Sequence, residues 1–319
     1  MGASQFLWIF FFRFTLALGR YGIPIRHLHT DLNSGYLGRK RVSEIRLHSS
    51  TKTDEAEWLR RRLRPSLGRV ASVVPDGFPA YVRILHPSRG PNDQLSTWAE
   101  VASRSGRTIH RLAQFHAIEQ PRASPDRPTR SYGEVINGLI NPPNNGSLQS
   151  DLLTALCEIL AEHTTTTQSC FFCLWDGHGW LPDSATGGDL VFTASADAPQ
   201  HIPSMPIQPS PVLPAFPTDL EDQSRVDLPF RNYFLFEGSL DAAMQFGWRL
   251  TEDCFMPESP NLFWPEDRAW CVASEIDLYC TLVAGSEALA EALIADKRLE
   301  TWRVYPEDPV TYDSDKINT

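Results

Sequence analysis

Apolar residues recur at helical spacing in several parts of the chain. The clearest case lies in LQSDLLTALCEILAEHT, where Leu152, Leu156 and Leu160 share one side of a predicted helix. Gly146 and Ser147 supply its start. Five stretches predict helices, and these are residues 55–64, 96–106, 148–164, 287–296 and a short one capped by Ser239.

Other stretches alternate apolar and polar positions or form short apolar runs bounded by Gly and Pro, which predicts β-strands. These stretches are residues 69–74, 80–85, 168–175, 230–238, 269–277 and 279–285. The combination predicts an α+β fold with a mixed, largely antiparallel sheet and flanking helices.

The stretch SPNLFWPEDRAWCVASEIDLYCTLVAGS, residues 259–286, is unusually rich in Trp, Cys and acids. Alternation from Ala269 places one set of residues on one strand face, and these are Trp270, Val272, Ser274 and Ile276. The opposite face carries Cys271, Ala273, Glu275 and Asp277, so we expect it to end in an acidic pair. The run is therefore predicted to be a strand pair that feeds a helix capped by Ser286.

Residues 197–217 form a Pro-rich central connection. Pro203, Pro206 and Pro209 recur every third residue, which favours polyproline II. A stiff linker or long loop fits this segment better than a docking peptide, because the Arg that often flanks such peptides is missing. The segment would divide the body into two halves.

The N-terminal residues 1–53 are interpreted as an extension that is disordered or does not belong to the native protein. Their apolar run from Phe6 to Leu18 is interrupted by Arg13 and is too short to span a bilayer of about 30 Å. No Lys or Arg precedes Phe6, so a signal peptide is poorly supported. We expect a globular body over residues 54–319 and no transmembrane anchor.

Charge is divided unevenly along the chain. Residues 1–70 hold 13 Lys and Arg against 5 Asp and Glu, whereas the remaining residues hold 16 against 34. An acidic body repels the phosphate backbone of nucleic acid, so we do not expect nucleic acid as its partner. We expect a basic protein instead. The basic runs at residues 39–41 and 60–62 could touch nucleic acid or anionic lipid, but solvated surface is the simpler interpretation.

The six cysteines lack the density of a secreted disulfide scaffold, which favours a reduced, cytoplasmic protein. Cys170 and Cys173 have the spacing of a zinc-binding pair, and His178 follows. A zinc-stabilised module is one alternative, but strand alternation would turn the two thiols to opposite sides. Buried small hydrophobic residues are therefore the favoured interpretation, with no metal and no cofactor.

Asp176, His178 and Trp180 lie on a Gly-flanked loop after the predicted strand 168–175. Their side chains could converge on a ligand, and Asp176 with His178 could form a general base pair. No nucleophile motif accompanies them, although Ser184 is near, and a tight turn is the simpler interpretation. His110 and His116 are six residues apart, which is not a standard zinc spacing and favours structural roles.

Four further residues complete the candidate binding site. Glu237 ends a predicted strand just before a Gly, and it could bind a ligand or satisfy the amides of the next helix. Trp264 lies in an aromatic loop. Glu275 and Asp277 could share a proton, bind a cation or steer a basic partner, although a solvated strand end is the simpler interpretation.

Four segments carry a resemblance to known sequences, and these are HRLAQFHAI, CFFCLWDGHGWL, FRNYFLFEG and NLFWPEDRAWCVASEIDLYCTLVAGS. They resemble a family of hypothetical bacterial proteins over roughly residues 70–318. The resemblance implies no catalytic residues. The order of strand, Gly-Ser and helix with Trp-rich turns is also loosely similar, by architecture only, to Smi1/Knr4-like interaction modules.

Three classes of function remain open, and the zinc-stabilised module described above is one of them. The sequence favours a soluble, non-catalytic binding or interaction module with an acidic face, because nucleotide, P-loop and nucleophile motifs are absent. A hydrolase or metal-assisted enzyme that uses carboxylates and His178 is the alternative. It requires two of the carboxylates to lie within about 6 Å of each other and of His178 in one cleft.

Overall fold

A computed structural model describes residues 47–90, 94–119, 142–178, 181, 213–214, 224–251 and 254–318. Residues Ile45–Thr319 form one compact unit. The helices of the described part are α1 (Glu57–Arg62), α2 (Val70–Val73), α3 (Trp98–Ser105), α4 (Phe115–Glu119), α5 (Ser150–Ala161) and α6 (Glu287–Ala295). Two 3₁₀ helices span Thr53–Ala56 and Leu240–Gln245.

Nine strands form the main sheet, and five more form two small ones. The strands are β1 (His48–Ser49), β2 (Ala80–Leu85), β3 (Ser88–Arg89), β4 (Leu95–Ser96), β5 (Cys170–Trp175), β6 (Leu213–Pro214), β7 (Arg225–Asp227), β8 (Asn232–Gly238), β9 (Gly247–Thr251), β10 (Cys254–Pro257), β11 (Leu262–Pro265), β12 (Cys271–Ala273), β13 (Cys280–Gly285) and β14 (Thr301–Val304).

The main sheet has the order β1-β8-β5-β11-β12-β13-β2-β14, with β7 also paired to β8. The predicted α+β class is confirmed, and the described strand pairs are all antiparallel. Strands from before and after residues 197–217 are neighbours in this sheet, since β5 pairs with β8 and β11. The sheet therefore does not divide at the Pro-rich segment, most of which lies outside the described residues.

Both faces of the sheet are covered. On one face α5, α6 and the 3₁₀ helix at 240–245 pack on residues such as Phe172, Phe236 and Trp270. On the other, α1 and α2 pack on residues such as Phe171 and Trp264. Alternation in β5 therefore buries both faces, as predicted.

The body begins earlier than the predicted boundary at residue 54. β1 pairs with β8, with His48 opposite Glu237 and Ser49 opposite Phe236. Ser50 is buried, and its N–H donates to the carbonyl of Leu235 at 2.8 Å. Residues 47–53 therefore belong to the folded body, whereas residues 1–46 lie outside the described part.

The prediction of a strand at 69–74 is wrong, because residues 70–73 form the short helix α2. The Ser72 hydroxyl donates to the carbonyl of Arg69 at 2.7 Å and accepts from the Arg69 N–H at 3.2 Å. Val70 and Ala71 are fully buried. Tertiary packing and this local turn outweigh the strand preference of β-branched residues.

Two other helices follow the sequence closely at their ends, whereas α5 begins at Ser150 after Gln149 and not at the predicted Gly146 and Ser147. α3 is capped by Thr97, one residue after the predicted Ser96, with Glu100 completing a capping box. Gly106 ends α3 in the left-handed conformation, with φ of 70°. Ser286 caps α6 as predicted, and its hydroxyl accepts from the Leu289 N–H at 3.1 Å.

Candidate functional site

The predicted site residues lie at two ends of the sheet. β5 and β8 are antiparallel, with Trp175 opposite Tyr233 and Cys170 opposite Gly238. Asp176 and His178 follow the end of β5 that faces the start of β8. Glu237 lies at the opposite end of β8, about 13 Å away from Tyr233 at the usual rise per residue of a strand.

Arg231 binds both predicted carboxylates of the β12 end. Its Nη2 lies 2.7 Å from Glu275 Oε1 and 2.7 Å from Asp277 Oδ2, so the two acids lie close together. They do not alternate along a strand as predicted, because β12 ends at Ala273 and both acids follow it. Burial alone would lower the pKa of Arg231, but the charges of Glu275 and Asp277 raise it above its ordinary value. The two carboxylates therefore share one guanidinium that sequence reasoning did not identify, and it balances one of their two negative charges.

Arg231 also contacts the aromatic side of this end. Its guanidinium lies 4.9 Å from the Trp175 ring centroid, within cation–π distance. Gly177 lies against the same indole, and a Cβ atom at residue 177 would overlap it. Gly177 is thus required for close approach to the indole and not for a positive φ, since its φ is not in that region.

His178 is held by Asn261. Its Nε2 lies 3.1 Å from Asn261 Oδ1, which also accepts from the Trp175 N–H at 2.8 Å. Because Asn261 Nδ2 donates to the Ser274 carbonyl at 3.2 Å, Oδ1 is the acceptor and His178 Nε2 the donor. Burial, with a smaller contribution from the charge of Arg231, lowers the pKa of His178 to about 4, although the Asn261 hydrogen bond opposes this.

Asp176 lies near the cation of a different strand. Its Oδ2 is 3.8 Å from Nε of Arg225 in β7, at the limit of an ion pair. The Arg225 guanidinium lies 3.7 Å from the Phe234 ring centroid. The three predicted acids at this end of the sheet, Asp176, Glu275 and Asp277, thus each lie against an arginine.

Glu237 belongs to the opposite end of the sheet. Lys52 Nζ lies 2.9 Å from its carboxylate, and the Ser50 hydroxyl donates to it at 3.3 Å. The charge of Glu237 and its hydrogen bond raise the pKa of Lys52, with a smaller contribution from Glu55 and Glu266. Glu237 is therefore separated from His178, and the two do not form one cleft.

Trp264 is a core residue. It is fully buried in β11, opposite Phe171, and packs edge-on against Trp58 at 6.0 Å between centroids. Phe171 stacks on it at 5.8 Å. Trp264 thus cannot reach a ligand at the surface, and Trp180 lies outside the described residues.

A second group of acids lies at the Glu237 end, which we call the acidic end and define as Glu55, Glu237, Asp241, Glu266 and Asp267. Asp267 joins this end to the loop before β5, because its carboxylate accepts from Thr164 Oγ1 and from the Thr165 N–H at 2.8 Å. The charges of Asp267 and Asp241 both reach Cys170, whose pKa is raised to about 12 by burial first and by these acids second.

Only two cations face the acidic end within the described part of the chain. Lys52 pairs with Glu237, and Arg268 pairs with Glu55 at 3.2 Å. Asp241, Glu266 and Asp267 are exposed and have no ion pair among the described residues. The sequence does show the two acids of the Trp264-Pro-Glu-Asp-Arg turn. The end of the sheet at which this turn lies depends on strand order.

Cys170 and Cys173 lie on opposite faces of β5, each buried in a different core cluster. They cannot bind one zinc ion together, which removes the zinc module proposed for this pair. Among the described residues, no three His, Cys, Asp or Glu side chains are grouped to hold a metal. Burial also raises the pKa of the Cys173 thiol, as expected for an inert core residue.

The two other predicted histidines are indeed held by protein groups. His110 Nε2 lies 2.9 Å from Asp315 Oδ1, and His116 stacks on Tyr312 with 3.5 Å between centroids. Hydrogen bonds from Asn318 and His110 lower the pKa of Asp315 to about 2, although burial opposes this. These contacts attach the C-terminal segment to α4 and to the loop before it.

Comparison with known proteins gives no family. No family model, curated protein or solved structure matches this chain. The resemblance to hypothetical bacterial proteins stays a prediction. None of the helices in the described part has the length and apolar character that crossing a bilayer requires.

Proposed function

We propose that this chain is a non-catalytic binding protein whose acidic end binds a basic partner. The observation that carries the proposal is the grouping of five carboxylates against two cations on turns that meet at one end of the sheet. Asp241, Glu266 and Asp267 are exposed there. A cationic partner would gain favourable electrostatic interactions without displacing an internal arginine.

The turns that carry these acids are held by the body. The Glu266 N–H donates to the Ser169 carbonyl at 2.9 Å, and the Leu240 N–H donates to the Thr167 carbonyl at 2.8 Å. Hydrogen bonds from Thr165 and Thr164 lower the pKa of Asp267 despite partial burial, so it stays ionised near neutrality. A surface of fixed negative charge suits recognition, since little ordering is required on binding.

The Glu275 and Asp277 pair supports this function less well than the sequence suggests. Arg231 already occupies both carboxylates. The hydrolase alternative has less support among the described residues for the same reason, and because His178 donates to Asn261 and is neutral near pH 7. We retain a cytoplasmic location as part of the proposal, supported by five free cysteines.

Fluorescence anisotropy with a labelled oligolysine peptide tests the proposal. We expect Asp241→Asn combined with Glu266→Gln to weaken binding by roughly three- to tenfold at low salt. A matched control, Asp151→Asn combined with Glu291→Gln, removes the same charge from exposed positions on α5 and α6. The control should change affinity by less than about twofold.

Two results would contradict the proposal. An equal loss in both double variants would show that only net charge matters, and not the acidic end. Absence of oligolysine binding by the unaltered chain at low salt would remove the proposed surface altogether.

A further inference from the structure

The main sheet ends at β14, whose outer edge has open backbone groups. β14 pairs on one side with β2, and it is the last strand in the sheet order. The Leu85 N–H donates to the Glu300 carbonyl at 2.9 Å, which makes these two residues a hydrogen-bonded pair. In an antiparallel ladder such pairs alternate, so Thr301 and Arg303 direct their N–H and C=O groups away from β2.

These outward groups have no partner in the described part of the chain. Thr301, Trp302 and Arg303 are each partly exposed. Two residues with one free donor and one free acceptor apiece form a template for another strand.

The side chains of β14 do not cover its outer edge. Arg303 is turned onto α6, where its guanidinium pairs with the Glu287 carboxylate. The Thr301 hydroxyl donates to the Leu293 carbonyl at 3.5 Å, on the same helix. Edge strands are usually protected by charged side chains that project beyond the edge. Here the Arg303 charge lies over the face of the sheet instead, against α6.

The strands at the opposite edge of the sheet are shorter than β14. β1 and β7 have two and three residues. The Arg60 guanidinium donates to the Asp227 carbonyl through Nε at 2.8 Å, which covers an acceptor of β7. The difference between the two edges indicates that β14 is the one available for pairing.

We propose that β14 pairs antiparallel with β14 of a second copy of this chain, with the two-fold axis at Trp302. In that register Thr301 lies opposite Arg303 of the partner and Arg303 lies opposite Thr301. Each outward N–H and C=O then has a partner, which gives four hydrogen bonds. The match is self-complementary, as an isologous interface requires.

Side chains around the axis fit this arrangement. Trp302 would face its own copy at a non-hydrogen-bonded position, where cross-strand aromatic pairs are favourable. Tyr305, just after the strand, is 54% exposed and carries the Arg111 guanidinium 5.0 Å from its ring centroid. Tyr, Trp and Arg are the residues that contribute most often to interface hot spots.

Sedimentation equilibrium of the full chain over a wide concentration range tests the proposal. We expect a monomer–dimer equilibrium that Arg303→Pro weakens by roughly tenfold or more, because each dimer loses two N–H donors. Arg303→Ala is the matched control, since it removes the side chain but keeps the N–H. It should change the dimer dissociation constant by less than about threefold.

Hydrogen exchange provides a second measurement without any substitution, in case Arg303→Pro does not fold. The amides of Thr301 and Arg303 should exchange more slowly as the protein concentration rises, whereas those of Trp302 and Val304 should not change. A monomer at every concentration overturns the proposal. So does a dimer that responds equally to both substitutions, or one that leaves the β14 amides unprotected.

Discussion

His178 donates from Nε2 to Oδ1 of Asn261 across 3.1 Å, and this contact joins the turn after β5 to the start of β11. Asn261 is 4% exposed and also binds Trp175 and Ser274. One amide side chain therefore satisfies three groups from three parts of the chain. It orients the histidine as a structural residue.

Replacement of Asn261 should destabilise the fold. Asn261→Leu keeps similar volume but leaves the Trp175 N–H and His178 without their acceptor, at a cost of about 2–4 kcal/mol in the free energy of unfolding. Urea denaturation followed by tryptophan fluorescence measures it. Asn232→Ala, at an exposed position of β8, is the control and should stay within about 0.5 kcal/mol. Equal stability of both variants would show that the network contributes little.

Stability should fall below pH 6.5 because of His86. This residue is fully buried, with Nδ1 2.7 Å from the Asn144 carbonyl and Nε2 2.9 Å from Thr281 Oγ1. Burial lowers its pKa to about 4. The unfolded chain takes up a proton near pH 6.5, so the contribution of neutral His86 is complete above that pH and lost as pH falls towards 4.

The expected loss from His86 is about 3 kcal/mol between pH 7 and pH 4. Urea denaturation at several pH values, compared with His86→Gln, isolates this contribution, because Gln can donate and accept but does not titrate. The pH dependence should be shallower in the variant. Parallel curves for the two proteins would show that His86 is protonated inside the fold at its ordinary pKa.

Glu300 should stabilise α3 from outside the helix. Its carboxylate accepts from the N–H groups of Trp98 at 2.6 Å and Ala99 at 2.8 Å, which are free amides of the first turn. We expect Glu300→Ala to lower the free energy of unfolding by about 1–2 kcal/mol. Glu291→Ala, exposed on α6, is the control and should have an effect below about 0.5 kcal/mol. Thermal denaturation followed by circular dichroism distinguishes them.

Cys170 and Cys173 should be unreactive in the folded protein. Cys170 is buried and its pKa is raised to about 12, so almost no thiolate is present at pH 8. In a Cys254→Ser background, we expect a thiol reagent such as DTNB to label the protein slowly until urea is added. Rapid labelling under native conditions, or zinc retained after dialysis and lost on Cys170→Ala, would contradict the core assignment.

The periodicity of β5 and β8 was sufficient to predict their position and the two buried faces of the sheet. Both strands alternate large apolar residues over six or seven positions, and local pattern and burial agree there. Residues 70–73 show where this fails, because a β-branched run became a helix once Ser72 bonded Arg69 and the body buried Val70. The local pattern of apolar residues carries no information about contacts with segments that are distant in the sequence.

In the candidate site, too, some features follow from the local sequence and others only from the tertiary structure. The spacing of Glu275 and Asp277 keeps them near each other, but the segment after β12 carries them and not the predicted strand. That Arg231 pairs with both, that Glu237 lies at the other end of the sheet, and that Asp241 and Asp267 join it there all depend on strand order. The sequence by itself determined the α+β class, the Ser286 cap of α6 and the buried faces of β5, because these follow from spacing along the chain. Only the tertiary structure decided which charges meet, because ion pairing depends on distances between residues far apart in the sequence.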